Sequence, residues 1–330
     1  MASNPETMRI GYVPEHYLGP LHLALRSSAS KLPFQVRLIP FPSGTGHMIT
    51  SLREKEIDLA IGLTEGWVAG LAGKQQAPQD PSTDGYKIVG HWVDTPLRWA
   101  IVTGREREEI RSVEDLKGGR VGVSRLGSGS HIMSFVLSQT HHWSEKDALT
   151  PAILGPFHSL RNGVTGYDAA STTPEQPPVP TAEFFMWEHF TTKPYFHPTA
   201  DKPHPPLKKI GEIYTPWPSW MIVASTATFS GDLTKDQRLE QLFEVFDQGI
   251  SEFDADREQV VKLLGTGELG CTYGEEDARE WLKDVRFTKG TRGVKAEVVE
   301  GVVDVLKVAG VIDEQMDREE AVKRVVGISH

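Results

Sequence analysis

Cysteine occurs once in 330 residues, at position 271, so an internal disulfide is excluded. A lone thiol of this kind reads as packing rather than as a nucleophile. Long apolar runs are missing as well, and none approaches the length that spans a bilayer. Positive charge is in deficit: 35 Lys and Arg stand against 45 Asp and Glu, a net charge of -10. No Lys/Arg-rich stripe offsets that repulsion, so nucleic acid and anionic membranes are not expected partners, and the acidic excess reads as solubility. The first strand begins near Met8, leaving no room for a basic segment, an apolar core and a cleavage site, and the expectation is a cytoplasmic protein. His141-His142, and His197 with His204, fit no metal-ligand spacing, so no metal is expected. Gly127-Ser-Gly-Ser130 lacks the Gly-Lys-Ser/Thr ending of a P-loop and is not a dinucleotide fingerprint, and no cofactor is expected.

What the sequence does contain is a globular composition, 38% hydrophobic and 24% charged, in a chain long for one core and comfortable for two. The stretch Leu52-Arg-Glu-Lys-Glu-Ile-Asp-Leu-Ala-Ile-Gly-Leu-Thr-Glu65-Gly66 reads as a helix end, a turn and a short apolar strand buried on both faces of a parallel sheet. Ligands of open parallel sheets bind beyond the carboxyl ends of the strands, which makes Thr64 and Glu65 candidate contacts.

The pattern recurs. Leu160-Arg-Asn-Gly-Val164, a polar insertion and Thr181-Ala-Glu-Phe-Phe-Met-Trp-Glu188 repeat the order of helix end, acidic residue, apolar run and terminal Glu. Arg9-Ile-Gly-Tyr-Val13 is echoed by Arg120-Val-Gly-Val-Ser124, and Thr95-Pro-Leu-Arg-Trp-Ala-Ile-Val102 by Thr215-Pro-Trp-Pro-Ser-Trp-Met-Ile-Val223. Three matches in one order, at offsets of roughly 110 to 120 residues, argue for two similar lobes. Lobe I is expected to take residues 1–103 and 222–330, and lobe II residues 104–221.

Further candidates lie at loop-to-helix junctions. Glu15 and His16 follow the first strand, and Gly44, Thr45 and Gly46 open a helix whose free backbone N–H groups suit an anion or carbonyl. Ser128, Gly129 and Ser130 do the same before a second helix and form the strongest local cradle of this type. Trp187, Glu188 and His189 end the repeated strand, and Trp217 stands at the second crossing, where an indole can lie against a flat ligand. Residues 166–180, rich in Thr, Pro, Gln and Ser, read as a surface excursion. Helical spacing is expected over Arg238–Phe253, Ala255–Leu264, Glu275–Asp284 and Lys295–Ala309.

By Gly62-Leu-Thr-Glu65, Ser124-Arg-Leu-Gly-Ser-Gly-Ser130 and Phe185-Met-Trp-Glu-His-Phe190, the chain resembles the type II periplasmic-binding-protein-like superfamily. The resemblance is closest to an intracellular fungal branch related to the alkanesulfonate and thiamine-precursor binding proteins. It implies an α/β fold of two lobes, two crossing strands as hinge, and a ligand cleft between the lobes. Thiamine pyrimidine precursor synthases of fungi share the superfamily, but their Cys-rich iron motif is missing here, where only Cys271 occurs, and their activity is not transferred.

The function expected on these grounds is a small-molecule binding protein that closes on an amino-bearing heteroaromatic or zwitterionic ligand. Glu65 and Glu188 supply acceptors, Trp187 and Trp217 apolar walls, and the Ser128 to Ser130 cradle receives an anionic or carbonyl end. The alternative is a cofactor-free cytosolic enzyme on the same fold, a lyase or a thiamine-precursor-like biosynthetic enzyme, with the cleft Glu and His residues as acid and base.

Overall fold

The structure, a computed structural model, describes residues 6–74, 77–166 and 180–330. Residues 167–179, which hold most of the expected excursion, lie outside the described residues. The chain divides into two compact units. The first takes in the residues up to Thr95 together with Trp217–Lys307 and Ile312–His330; the second takes Pro96–Pro216 and Val308–Val311.

Among the described residues each unit carries one five-stranded sheet. In unit one the strands are β1 (Thr7–Tyr12), β2 (Gln35–Pro40), β3 (Leu59–Leu63), β4 (Tyr86–Val93) and β10 (Trp220–Ser225), in the order β2-β1-β3-β10-β4. In unit two they are β5 (Arg98–Gly104), β6 (Arg120–Val123), β7 (Thr150–Ile153), β8 (Phe184–Glu188) and β9 (Leu207–Tyr214), in the order β7-β6-β8-β5-β9. The first three strands of each order pair in parallel, and the fourth, β10 or β5, runs antiparallel to its neighbours. The two sheets therefore share one topology, with β1, β3 and β10 corresponding to β6, β8 and β5. The three sequence matches fall on those three pairs.

The division differs in detail from the one expected at 103 and 221. Residues 98–104 form β5, which hydrogen-bonds to β8 and β9 and so belongs to unit two. The run Ile210–Val223 forms parts of two strands: β9 stops at Tyr214 and β10 starts at Trp220. Pro216 and Pro218 lie between them, and proline has no N–H to give a ladder.

Helices α1 (Gly19–Ser28), α2 (Thr45–Arg53) and α3 (Thr64–Ala72) follow the first strands of unit one. Helices α4 (Gly129–Thr140), α5 (Phe157–Thr165) and the short α6 (His189–Thr192) occupy the matching places in unit two. The C-terminal helices are α7 (Gln237–Ala255), α8 (Arg257–Gly265), α9 (Glu275–Asp284), α10 (Ala296–Val308) and α11 (Arg318–Val325). The first four of these lie within two residues of the expected ranges; α11 carries only two buried residues, Ala321 and Val325, too few to mark an apolar face in the sequence. Helix α7 packs closely on α1, since a Cβ at Gly249 would stand 2.4 Å from both Ala24 Cβ and the Pro20 carbonyl oxygen.

Strand β3 explains why unit one is built around residues 52–66. Leu59, Ala60 and Ile61 are wholly buried, as a central strand flanked by β1 and β10 and covered on both faces requires. At its start Asp58 receives Arg9 in a two-pronged ion pair, with Nη2 2.8 Å from Oδ1 and Nε 2.9 Å from Oδ2. At its end the chain turns directly into α3.

Candidate functional site

In unit one the junction between β3 and α3 is tied down on two sides. The Leu63 N–H donates to Thr45 Oγ1 at 3.0 Å, joining the strand end to the first residue of α2. Thr64 donates its hydroxyl to the Pro218 carbonyl at 2.6 Å and its N–H to the Ser219 carbonyl at 3.1 Å. Gly66 is required by this packing, because a Cβ there would sit 2.8 Å from Thr45 Cγ2. Thr45 and Thr64 thus spend hydroxyl contacts on building the junction. Gly44 precedes α2 at φ +79°, in the left-handed region that glycine adopts without strain, and Gly46 lies within the helix.

Glu65, in the first turn of α3, is 0% exposed. Its Oε2 accepts from Trp217 Nε1 at 3.0 Å, whereas its Oε1 has no hydrogen-bond partner among the described residues. Burial pushes the carboxyl up to about 7, against the opposing effect of its own backbone N–H and the Trp217 indole. Trp217, expected as a flat wall, is buried and serves as the anchor of this carboxyl.

His16 is buried in an aromatic setting, its ring centroid 4.3 Å from Tyr17, 4.4 Å from Tyr273 and 4.5 Å from Trp281. Burial holds its pKa well below the usual value, so the imidazole is neutral at pH 7. Glu15 is half-buried at the start of the 3-10 turn His16–Leu18. Burial, reinforced by the Glu15 charge, pushes the Cys271 thiol up to about 12, which leaves it inert as a nucleophile near neutral pH.

In unit two Ser128 caps α4, and its hydroxyl donates to the Arg125 carbonyl at 2.7 Å and lies 3.0 Å from Ser130 Oγ. Ser130 Oγ accepts the Ser124 N–H at 3.2 Å, and His131 Nδ1 accepts the Gly127 N–H at 3.0 Å. Gly129 begins the helix, where the first N–H groups have no intrahelical acceptor. Arg125, whose carbonyl Ser128 holds, is half-buried and has no carboxylate partner among the described residues. Burial lowers its pKa, with no compensating charge. Sequence reasoning missed Arg125, although a cation inside Ser124-Arg-Leu-Gly-Ser-Gly-Ser130 is a signal for anion binding.

Glu188 ends β8 and caps α6, its Oε2 accepting the Thr191 N–H at 2.7 Å. Burial pushes it up to about 7, opposed by hydrogen bonds from Thr191 and Phe190 and by the Arg98 charge. His189 is buried against Phe190 and Phe196. Trp187 does not share the Glu188 face: strand alternation places it with Phe185, and it stacks on Phe157 of α5 at 5.3 Å. The two carboxylates are also not at equivalent positions. Trp99 of β5 pairs with Glu188, whereas Trp220 of β10 pairs with Leu63, two residues short of Glu65.

The structure thus gathers Thr45, Thr64, Glu65 and Trp217 at one junction in unit one, and Arg125, Ser128 and Ser130 at one helix start in unit two. Residues 99–213, nearly the whole continuous part of unit two, match the family described as Ca3427-like PBP. The chain is also similar to the Candida albicans CA3427 gene product, whose structure is described as defining a new family with the generic periplasmic binding protein fold. The two are 29% identical, with 98% of this chain and 97% of that one covered and a TM-score of 0.81. The chain has a periplasmic-binding-protein-like fold. The expected two-lobed α/β architecture is borne out, and the fungal branch read from the sequence is consistent with the Candida structure.

Two bacterial sulfonate-binding proteins share the binding-protein fold. The alkanesulfonate-binding protein SsuA from Xanthomonas axonopodis pv. citri, bound to MOPS, is 17% identical over 98% of this chain and 99% of its own, with a TM-score of 0.68. The aliphatic sulphonate binding protein SsuA from Escherichia coli is 17% identical over 99% and 94%, with a TM-score of 0.62. At that identity the likeness is one of fold alone. No curated protein matches the sequence. The binding-protein fold supports a small-molecule binding role. No helix among the described residues is long and apolar enough to cross a membrane.

Proposed function

We propose that this chain binds a small organic molecule that presents an N–H group to Glu65. An amino-bearing heteroaromatic ring or a zwitterion meets that demand through its nitrogen. The observation that carries this reading is Glu65 itself, a wholly buried carboxyl with one oxygen held by Trp217 and the other left without a partner. A buried polar atom without a partner costs about 1–3 kcal/mol, a penalty that a ligand donor removes. It lies beyond the carboxyl end of a parallel strand, where sheets of this kind receive ligands. In unit two, Arg125 and the start of α4 are a separate candidate for an anionic or carbonyl group, because a half-buried guanidinium without a carboxylate partner among the described residues suits an anion.

Thermal-shift screening with aminopyrimidines, vitamin precursors, aminosulfonates and plain alkanesulfonates tests the proposal. A true ligand at a hundredfold excess over its Kd stabilises by about 2.7 kcal/mol. Glu65→Gln should weaken the response to an amino-bearing compound and Arg125→Gln the response to an anionic one, and an unchanged response in either variant removes that residue from a binding role.

One observation favours a second reading. Glu65 and Glu188 are both raised to about 7, the range in which a carboxyl transfers protons efficiently at neutral pH. Incubating any stabilising compound with the protein and measuring its mass separates the two: an unchanged mass supports a binder, and a changed one an acid–base enzyme.

A further inference from the structure

We infer that Glu65 selects a basic nitrogen and that a proton moves when the ligand binds: the empty site holds Glu65 as the neutral acid, and the bound site holds it as a carboxylate paired with an N–H cation. The inference deepens the small-molecule reading above and rests on it.

Among the described residues of unit one, the groups packed around Glu65 supply no charge to balance an anion. Its Oε2 meets a neutral indole N–H, and its Oε1 meets no donor among the described residues. Strands β3 and β10, which flank the junction, carry no titratable side chain. Helix α2 brings His47 and Arg53, but Arg53 donates to the Gly70 carbonyl, towards the other end of α3. Helix α11 packs on α3 and brings Arg324, which is spent on Asp84 at 2.6 Å. Thr45 and Thr64 offer hydroxyls already engaged with the backbone. A carboxylate buried without a cation is far costlier than a carboxylic acid in the same place, so the empty site favours the acid. The raised titration of Glu65 agrees with this.

A neutral donor such as an amide N–H relieves only the unpartnered oxygen. A basic nitrogen does more, because it takes the proton from the Oε1 hydroxyl and returns it as an N–H donor to the carboxylate it creates. The O–H bond breaks, the N–H bond forms, and no other reactant is needed. A ligand that arrives already protonated instead displaces the Glu65 proton into solvent.

Infrared difference spectra of the full chain test both halves. Without ligand, the protonated-carboxyl C=O stretch of wild type minus Glu65→Gln should be present at pH 6 and vanish through a midpoint of about 7. A band absent at pH 6, or one that titrates near the ordinary 4.5, overturns the inference. Trp217→Phe should move the midpoint upward, since it removes a hydrogen bond from the charged form; it also serves if Glu65→Gln fails to fold, and an unmoved midpoint counts against the inference. With 4-aminopyrimidine as probe, the band should disappear at pH 6 as the thermal shift saturates. A band that survives saturation overturns the proton movement while leaving the small-molecule reading intact. If neither 4-aminopyrimidine nor the wider panel binds, that reading falls and the ligand half of the inference falls with it, whereas the acid form of the empty site is judged by the ligand-free titration alone.

Discussion

Burying Glu65 without a cation should make the protein less stable as pH rises through the neutral range, and Glu65→Gln should abolish that loss. The carboxyl titrates at about 7 in the folded chain against an ordinary 4.5. That difference corresponds to about 3 kcal/mol. A folded-state pKa raised above the unfolded one means the native state holds its proton where the unfolded chain has lost it. The group is therefore neutral in its effect below 4.5, destabilises progressively between 4.5 and about 7, and costs its full amount above that. Relative to wild type, Glu65→Gln should gain about 2 to 3 kcal/mol between pH 5 and pH 8. Other titrating groups are common to both proteins and cancel in the comparison. A constant offset is expected as well, because the amide adds a buried N–H pair that needs partners, but it does not vary with pH. Urea denaturation of both proteins at pH 5, 6, 7 and 8 measures the effect as a diverging Cm at unchanged slope. A difference that stays flat across this range, or that narrows as pH rises, refutes the argument from burial.

Two further outcomes test the architecture around the site. Asp58→Asn should cost about 1.5–3 kcal/mol at pH 7, because it removes the buried partner of a two-pronged, partly exposed pair with Arg9. Burial pushes the Asp58 carboxyl up, but hydrogen bonds from Arg9 and Thr228 together outweigh it and hold the pKa below the ordinary value. That stability is present at neutral pH and lost as pH falls through the folded-state pKa, so the gap between variant and wild type should shrink towards pH 3 in the same urea series. Gly249→Ala should lower the Tm, since the added methyl meets Ala24 Cβ and the Pro20 carbonyl oxygen at 2.4 Å. Overpacking of this kind costs about 1–3 kcal/mol, against about 1 kcal/mol gained in helix propensity, and a Tm at or above wild type would show that α1 and α7 separate easily.

Several features of this chain are written locally and were legible without coordinates. The run Leu59–Leu63 is a strand because it is apolar, short and bounded by turn residues, and the same holds for Phe184–Glu188 and for the β1 and β6 pair. Their recurrence in one order exposed the duplicated topology, since each match is a property of fewer than ten consecutive residues. The helices α7 to α10 were equally readable from apolar spacing. Glu65 and Glu188 stood out because a carboxylate at the end of an apolar run is locally out of place, and both are buried and raised to about 7.

What the sequence could not settle depended on residues far apart meeting. The ladder register alone shows that Glu65 and Glu188 are offset by two positions, because it is fixed by β10 against β3 and by β5 against β8. Trp187 reads as a ligand wall until α5 packs Phe157 against it, and Trp217 becomes the anchor of Glu65 across 152 residues of chain. Arg125 gains meaning only from its burial without a carboxylate partner among the described residues, which is a statement about the folded surroundings and not about any local motif. Periodicity and turn chemistry act over a few residues and are set down in the order of the amino acids. Register, burial and counter-charge arise only when distant segments share a neighbourhood, and those decide which of the candidate side chains are left with something to bind.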